Sequence, residues 1–207
     1  MGKTSQELYL ELMQVVRNRF DFIDAIRDIG TDDYGKSEIA AFHGRKIIEA
    51  IAFGCLISTN NGLNFIPREA KGQYNAEIIL VALNKKGIDT FPSPSSIRKA
   101  TEEEIKQHNV TAVIEGIPER RITRDELIKK YQRLHVWLHE LNPFTKAGHE
   151  EFYKNNHTQL WKDLEEIKLF LSTHIISIKG EAIYCTLKDK VDGLTKVGSL
   201  SKTSDSF

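Results

Sequence analysis

The sequence predicts a mainly α protein: a helical bundle of four to five helices around a central apolar helix, with a small C-terminal antiparallel β-meander. Three observations predict it. Apolar residues recur at three- and four-residue steps over several long segments, one segment is apolar almost all round, and past residue 174 the period shortens to two.

The 207 residues fit a single domain over 1–200, with the meander at about 174–200 and a flexible tail at 201–207. A chain of this size buries about 70% of the surface its unfolded form exposes, so it needs no covalent staples. With 40% hydrophobic and 28% charged residues, wholesale disorder is excluded. Lysine plus arginine (29) balance aspartate plus glutamate (29), so no global field draws nucleic acid and a local patch must hold it.

Residues 5–28 read as a helix, because Leu8, Leu12, Val15, Val16, Phe20, Ile23 and Ile26 fall on one stripe; Gly30 and the turn at 31–33 end it. Ser37 is placed to cap a second helix reaching Ser58. Its residues Ile39, Phe42, Ile47, Ile48, Ile51, Phe53 and Leu56 surround the axis, which marks a helix enclosed by others. Asn-Asn-Gly, Pro67 and Gly72 make 59–72 a loop, and 74–85 is a shorter helix. The prolines of 91–96 forbid helix there. Thr101 with Glu104 forms a capping box for a brief helical turn, and 110–117 alternates loosely as a strand. A second capping box, Thr123 with Glu126, opens a helix running through Leu141 to Pro143. The last helix, about 148–172, carries Phe152, Leu160, Trp161, Leu164, Ile167 and Leu171. Turns at Gly180 and Gly193 then divide the meander.

The longest apolar stretch, 47–58, contains Glu49 and is too short to span a bilayer, and acids interrupt the N-terminal segment where a secretory signal is apolar. No membrane and a cytoplasmic location are expected. Cys55 and Cys185 read as buried free thiols. No phosphate-binding glycine loop, dinucleotide fingerprint, nucleophile elbow or cysteine-based zinc pattern occurs, and no cofactor is expected.

The stretch 131–144, YQRLHVWLHELNPF, holds the chemistry-bearing residues. On a helix His135 and His139 stand one turn apart, with Arg133 and Asn142 in reach. Histidine exchanges a proton near neutral pH and a guanidinium pairs with phosphate, so Arg133 and His139 are candidate catalytic residues, with His135 and Asn142 supporting. Upstream, Arg120, Arg121, Arg124, Lys129 and Lys130 form a basic patch suited to nucleic acid. On the central helix, Arg45 is the best anion-binding group of any pocket there, and it requires a carboxylate partner: Glu49, Asp21 or Asp24. Two histidines four apart also suit a shared metal ion, completed by His149 or His157 only if the 142–148 loop folds back; no metal site is assigned.

Arginine, five residues, then histidine, on a helical chain, resembles the HEPN superfamily of helical-bundle proteins. Leu134 stands where that family often has a small polar residue. The resemblance spans the helices of 5–172 and excludes the meander. It implies that His139 acts at the scissile 2′-hydroxyl or leaving oxygen, that Arg133 steadies the phosphorane, and that a homodimer faces two such motifs into one cleft. Two functions follow. The first is a non-catalytic module that binds RNA or a protein partner; the alternative is a metal-independent ribonuclease, a toxin or defence effector, using Arg133 and His139.

Overall fold

The computed structural model describes residues 2–30, 34–59, 66–140, 148–178 and 180–200. Among them the chain is mainly α, with six α-helices and a five-stranded antiparallel sheet.

Helix α1 (Ser5–Arg27) starts at a capping box in which Thr4 and Glu7 bond each other's backbone. Its buried apolar side chains are Tyr9, Met13, Val16, Phe20, Ile23 and Ile26. Leu8 and Val15, expected on that stripe, face outward. Helix α2 (Tyr34–Ser58) begins earlier than expected, so Ser37 is a buried residue of its first turn and not its cap. It contacts α1, α3 (Ala76–Lys85), α5 (Arg124–Val136) and α6 (His149–Ser172). Gly44 explains the close approach of α5 and α6. A Cβ there would lie 2.3 Å from Leu164 Cδ2 and 3.1 Å from Leu134 Cδ1. The all-round burial expected of α2 fails on one side, where Ile39 and Phe42 are exposed.

Asn75 caps α3, and the Thr101–Glu104 and Thr123–Glu126 boxes form as expected, opening α4 (Glu102–His108) and α5. Helix α5 ends at Val136, five residues short of the expected Leu141. There Trp137 turns into the core and packs its ring against Phe152, 4.9 Å between centroids, and Tyr34 at 5.5 Å. Residues 60–65, Asn142 and the 201–207 tail lie outside the described residues.

The sheet exceeds the expected meander. Strands β3 (Thr173–Ile178), β4 (Glu181–Thr186) and β5 (Lys196–Leu200) form that meander, with Gly180 and Gly193 at positive φ. The proline segment also supplies β1 (Ser93–Lys99), which pairs with β2 (Ala112–Gly116) on one side and β3 on the other. The order is β2-β1-β3-β4-β5. Pro94 lacks a backbone donor, and the β1–β3 ladder is only two residues long. One hydrophobic cluster joins the helices to the sheet through Ile167, Phe170, Leu171, Ile176, Ile183 and Cys185. Both cysteines are free and buried, and burial pushes each thiol up to about 12.

Beneath the sheet, Tyr9 meets His174 at 2.6 Å, and the other ring nitrogen of His174 lies 2.9 Å from the Leu171 carbonyl. That carbonyl can only accept, so Nδ1 carries the hydrogen and Nε2 accepts from the tyrosine hydroxyl. Complete burial depresses the pKa of His174 to about 4.

Candidate functional site

The turns of α2 and α5 that face each other bring Arg45, Glu49, Tyr131 and His135 together. Arg45 is paired with Glu49 at 3.3 Å, one of the partners anticipated for it, and Lys46 holds the second carboxylate oxygen at 2.7 Å. Arg45 Nε also donates to the Tyr131 hydroxyl at 3.1 Å, and that hydroxyl donates to Glu49 at 3.3 Å. The guanidinium lies 5.0 Å from the Tyr131 ring centroid. Glu49 is buried and Arg45 half-buried, so the arginine is held on an interior carboxylate with one end outward.

That outer end reaches the histidines. Arg45 Nη1 lies 2.7 Å from His135 Nδ1, and His135 Nε2 lies 2.9 Å from His139 Nε2. A guanidinium only donates, so His135 Nδ1 accepts, its hydrogen sits on Nε2, and it donates to His139. His135 is held neutral: partial burial, then Arg45 and His139, push its pKa below the ordinary histidine value. His139 is exposed. It accepts the His135 bond at its own Nε2. Arg45 Nη2 has no hydrogen-bond partner among the described residues.

Arg133 turns the other way. Its Nε and Nη2 grip Asp163 of α6 at 2.7 and 2.8 Å, and Lys130 and Gln159 bond the same carboxylate at 3.0 and 2.9 Å. Burial alone would raise the pKa of Asp163, but the bonds from Arg133, Lys130 and Gln159 outweigh it and hold the group ionised. Among the described residues no bond or ring contact joins Arg133 to His139. The arginine beside the histidines is Arg45.

The basic residues also divide. Arg120, Arg121, Lys129 and Lys130 line one groove together with Arg133 and with Lys162, which the sequence reading did not include. Arg124 lies elsewhere: it bonds the Ile88 carbonyl at 2.6 Å and Asn84 at 3.2 Å, and covers the Phe91 ring. Its role is to tie α5 to the segment after α3. His157 lies 3.2 Å from the Tyr153 carbonyl on its own helix, and the His149 side chain is outside the described residues. Among the described residues no three His, Cys, Asp or Glu side chains gather as a metal would need. None of the described helices is long and apolar enough to cross a membrane. No family model matches the chain, and neither a curated protein nor a solved structure matches it.

Proposed function

We propose that this protein is a metal-independent ribonuclease whose reacting groups are His139, His135 and Arg45. The observation that carries the reading is the guanidinium of Arg45, fixed by Glu49 and Tyr131 against His135, which in turn meets the exposed His139. Neutral His139 takes the 2′-hydroxyl proton at Nε2, which ends its bond to His135. The 2′ oxygen bonds to phosphorus and the bond from phosphorus to the 5′ oxygen breaks. The same histidine returns the proton to that oxygen, leaving a 2′,3′-cyclic phosphate and a 5′-hydroxyl. Arg45 steadies the charge of the phosphorane through its outer donors. His135 is a positioning residue that keeps a lone pair of His139 on Nε2.

In this reading the helices form a bundle around α2 and the protein works as a cytoplasmic homodimer. Its free, buried thiols suit a reducing compartment. Helix α1 leaves Leu8, Val15 and Phe22 exposed at seven-residue intervals, with Ile29 exposed just past its end, and α2 leaves Ile39 and Phe42 exposed. His43 bridges the two sets, its ring 4.6 Å from Phe22 and 5.3 Å from Phe42. An apolar strip of that form suits a second copy of the chain.

The test is incubation of purified protein with labelled single-stranded and transfer RNA in EDTA. Wild type is expected to cleave, and folded His139→Ala and Arg45→Ala to lose cleavage. Absence of cleavage by folded wild type overturns the reading. A non-catalytic module that binds RNA or protein would then stand, favoured by the basic groove and by the structural partner that Asp163 gives Arg133.

A further inference from the structure

The groove between α5, α6 and the 3-10 turn Pro118–Arg120 has a volume of about 390 Å³ and lies on the side of α5 turned away from His135. Six cations line it: Arg120, Arg121, Lys129, Lys130, Arg133 and Lys162. Of the carboxylates at its walls, Glu119 is exposed and the other two are engaged. Glu126 is bound to its own helix cap at Thr123, and Glu166 is paired with Lys130 and, at 4.0 Å, with Lys162. Asp163 is fully buried beneath Arg133 and Lys130. Arg121 and Lys129 are exposed and have no ion-pair partner among the described residues. The chain as a whole has zero net charge, so this concentration of cations is local and not a consequence of composition.

The Asp163 contact gives the groove a fixed element. Two of the five donors of Arg133 close on the buried carboxylate, which holds the planar guanidinium in one orientation while the side chain stays 44% exposed. A cation fixed in that way meets an anion with little loss of side-chain freedom, unlike the free lysines around it.

We propose that this groove binds the phosphate backbone of a single-stranded RNA and leads it to His139, with Arg121, Lys129, Lys162 and the outer edge of Arg133 as phosphate-binding residues. Helix α5 with its side chains is about 10–12 Å across, and a strand leaving the groove rounds it to reach the histidine pair on the opposite side. Backbone recognition of this kind is charge-dependent and tolerant of sequence. The identity of the strand rests on the ribonuclease reading, whereas the binding is measured without cleavage.

The experiment uses a fluorescein-labelled 12-nucleotide RNA, fluorescence anisotropy, and His139→Ala as the parent protein, across 50–200 mM salt. Each phosphate contact contributes about −0.7 to the slope of log K against log salt for single strands. The added pair Arg121→Glu and Lys129→Glu is therefore expected to flatten the slope by about 1.4 and to weaken binding at least tenfold at 100 mM salt. A control pair of equal charge change outside the groove, Lys71→Glu and Lys106→Glu, is expected to keep the parent slope. An unchanged slope in the groove variant, or the same loss in the control, overturns the groove. Cleavage by wild type is scored separately, so an inert protein that binds RNA with the expected slope removes the ribonuclease reading and leaves the groove.

Discussion

Acidification from pH 7 to 5 acts on His174 more than on any other histidine described here. Its ring is fully buried, donates to the Leu171 carbonyl and accepts from Tyr9, and its pKa in the fold is about 4 against an ordinary value of 6.5. The folded pKa is depressed, so the unfolded chain binds the proton more tightly and stability rises with pH across this window. The contribution is complete above pH 6.5 and disappears progressively as the pH falls toward 4. At 1.36 kcal/mol per pH unit, the loss is about 2 kcal/mol at pH 5 and about 3 kcal/mol at pH 4. Burial and nearby arginines also lower His43 and His135, so wild type alone would mix three groups. The double variant Tyr9→Phe with His174→Phe removes the buried polar pair together and keeps two rings of similar shape, a replacement that leaves neither partner orphaned by the other. Urea unfolding at pH 7 and pH 5 is the assay. Wild type is expected to lose about 2 kcal/mol more than the double variant between the two pH values. Equal losses in both would show that His174 is not held neutral by burial, and the argument would fail.

Two further outcomes are expected. Asp163→Ala removes the buried carboxylate shared by Lys130, Arg133 and Gln159 and leaves Lys130 only the part-exposed Glu166, so it is expected to cost more in thermal or urea unfolding than the roughly 1 kcal/mol of an exposed ion pair. Phe22→Asp combined with Phe42→Asp changes two exposed residues of the α1–α2 strip; sedimentation equilibrium is expected to give a dimer mass for wild type and a monomer mass for the variant, and a monomeric wild type would remove the dimer from the proposal.

Local signals were legible in the sequence and distant ones were not. The capping boxes at Thr101 and Thr123 are four-residue patterns, and both form as read. Helical period gave the existence of α1 but not which edge of its stripe meets the core, so Leu8 and Val15 were placed inside when Tyr9 and Met13 are the buried residues. Strand β1 was hidden by Pro92 and Pro94, which punctuate a segment that pairs through its later residues with β2. Helix α5 stops early because Trp137 gains more by burial against Phe152 and Tyr34 than by another helical turn, a tertiary preference without a local signature. At the candidate site His135 and His139 meet at 2.9 Å across the end of α5, which stops at Val136 before the second histidine. The choice of arginine needed three dimensions. Arg45 stands 90 residues from His135, and Asp163, 30 residues beyond Arg133, is what draws that arginine away.

The position of β1 between β2 and β3 has a consequence for how the protein is made. Strand β1 ends at residue 99, and its inner neighbour begins only at residue 173. At about 5–20 residues per second, synthesis leaves that strand edge waiting roughly 4–15 s for its partner. The last strand then closes the circuit, since Gln6 of α1 meets the Val197 carbonyl and the Ser199 hydroxyl of β5. The helical pairs α1–α2 and α2–α3 are near in sequence and form early, while the sheet and the seat of the N-terminal helix are completed only when the final strand has left the ribosome. Nascent chains that end before β3 therefore carry an unpaired β1 edge, which a chaperone would have to cover.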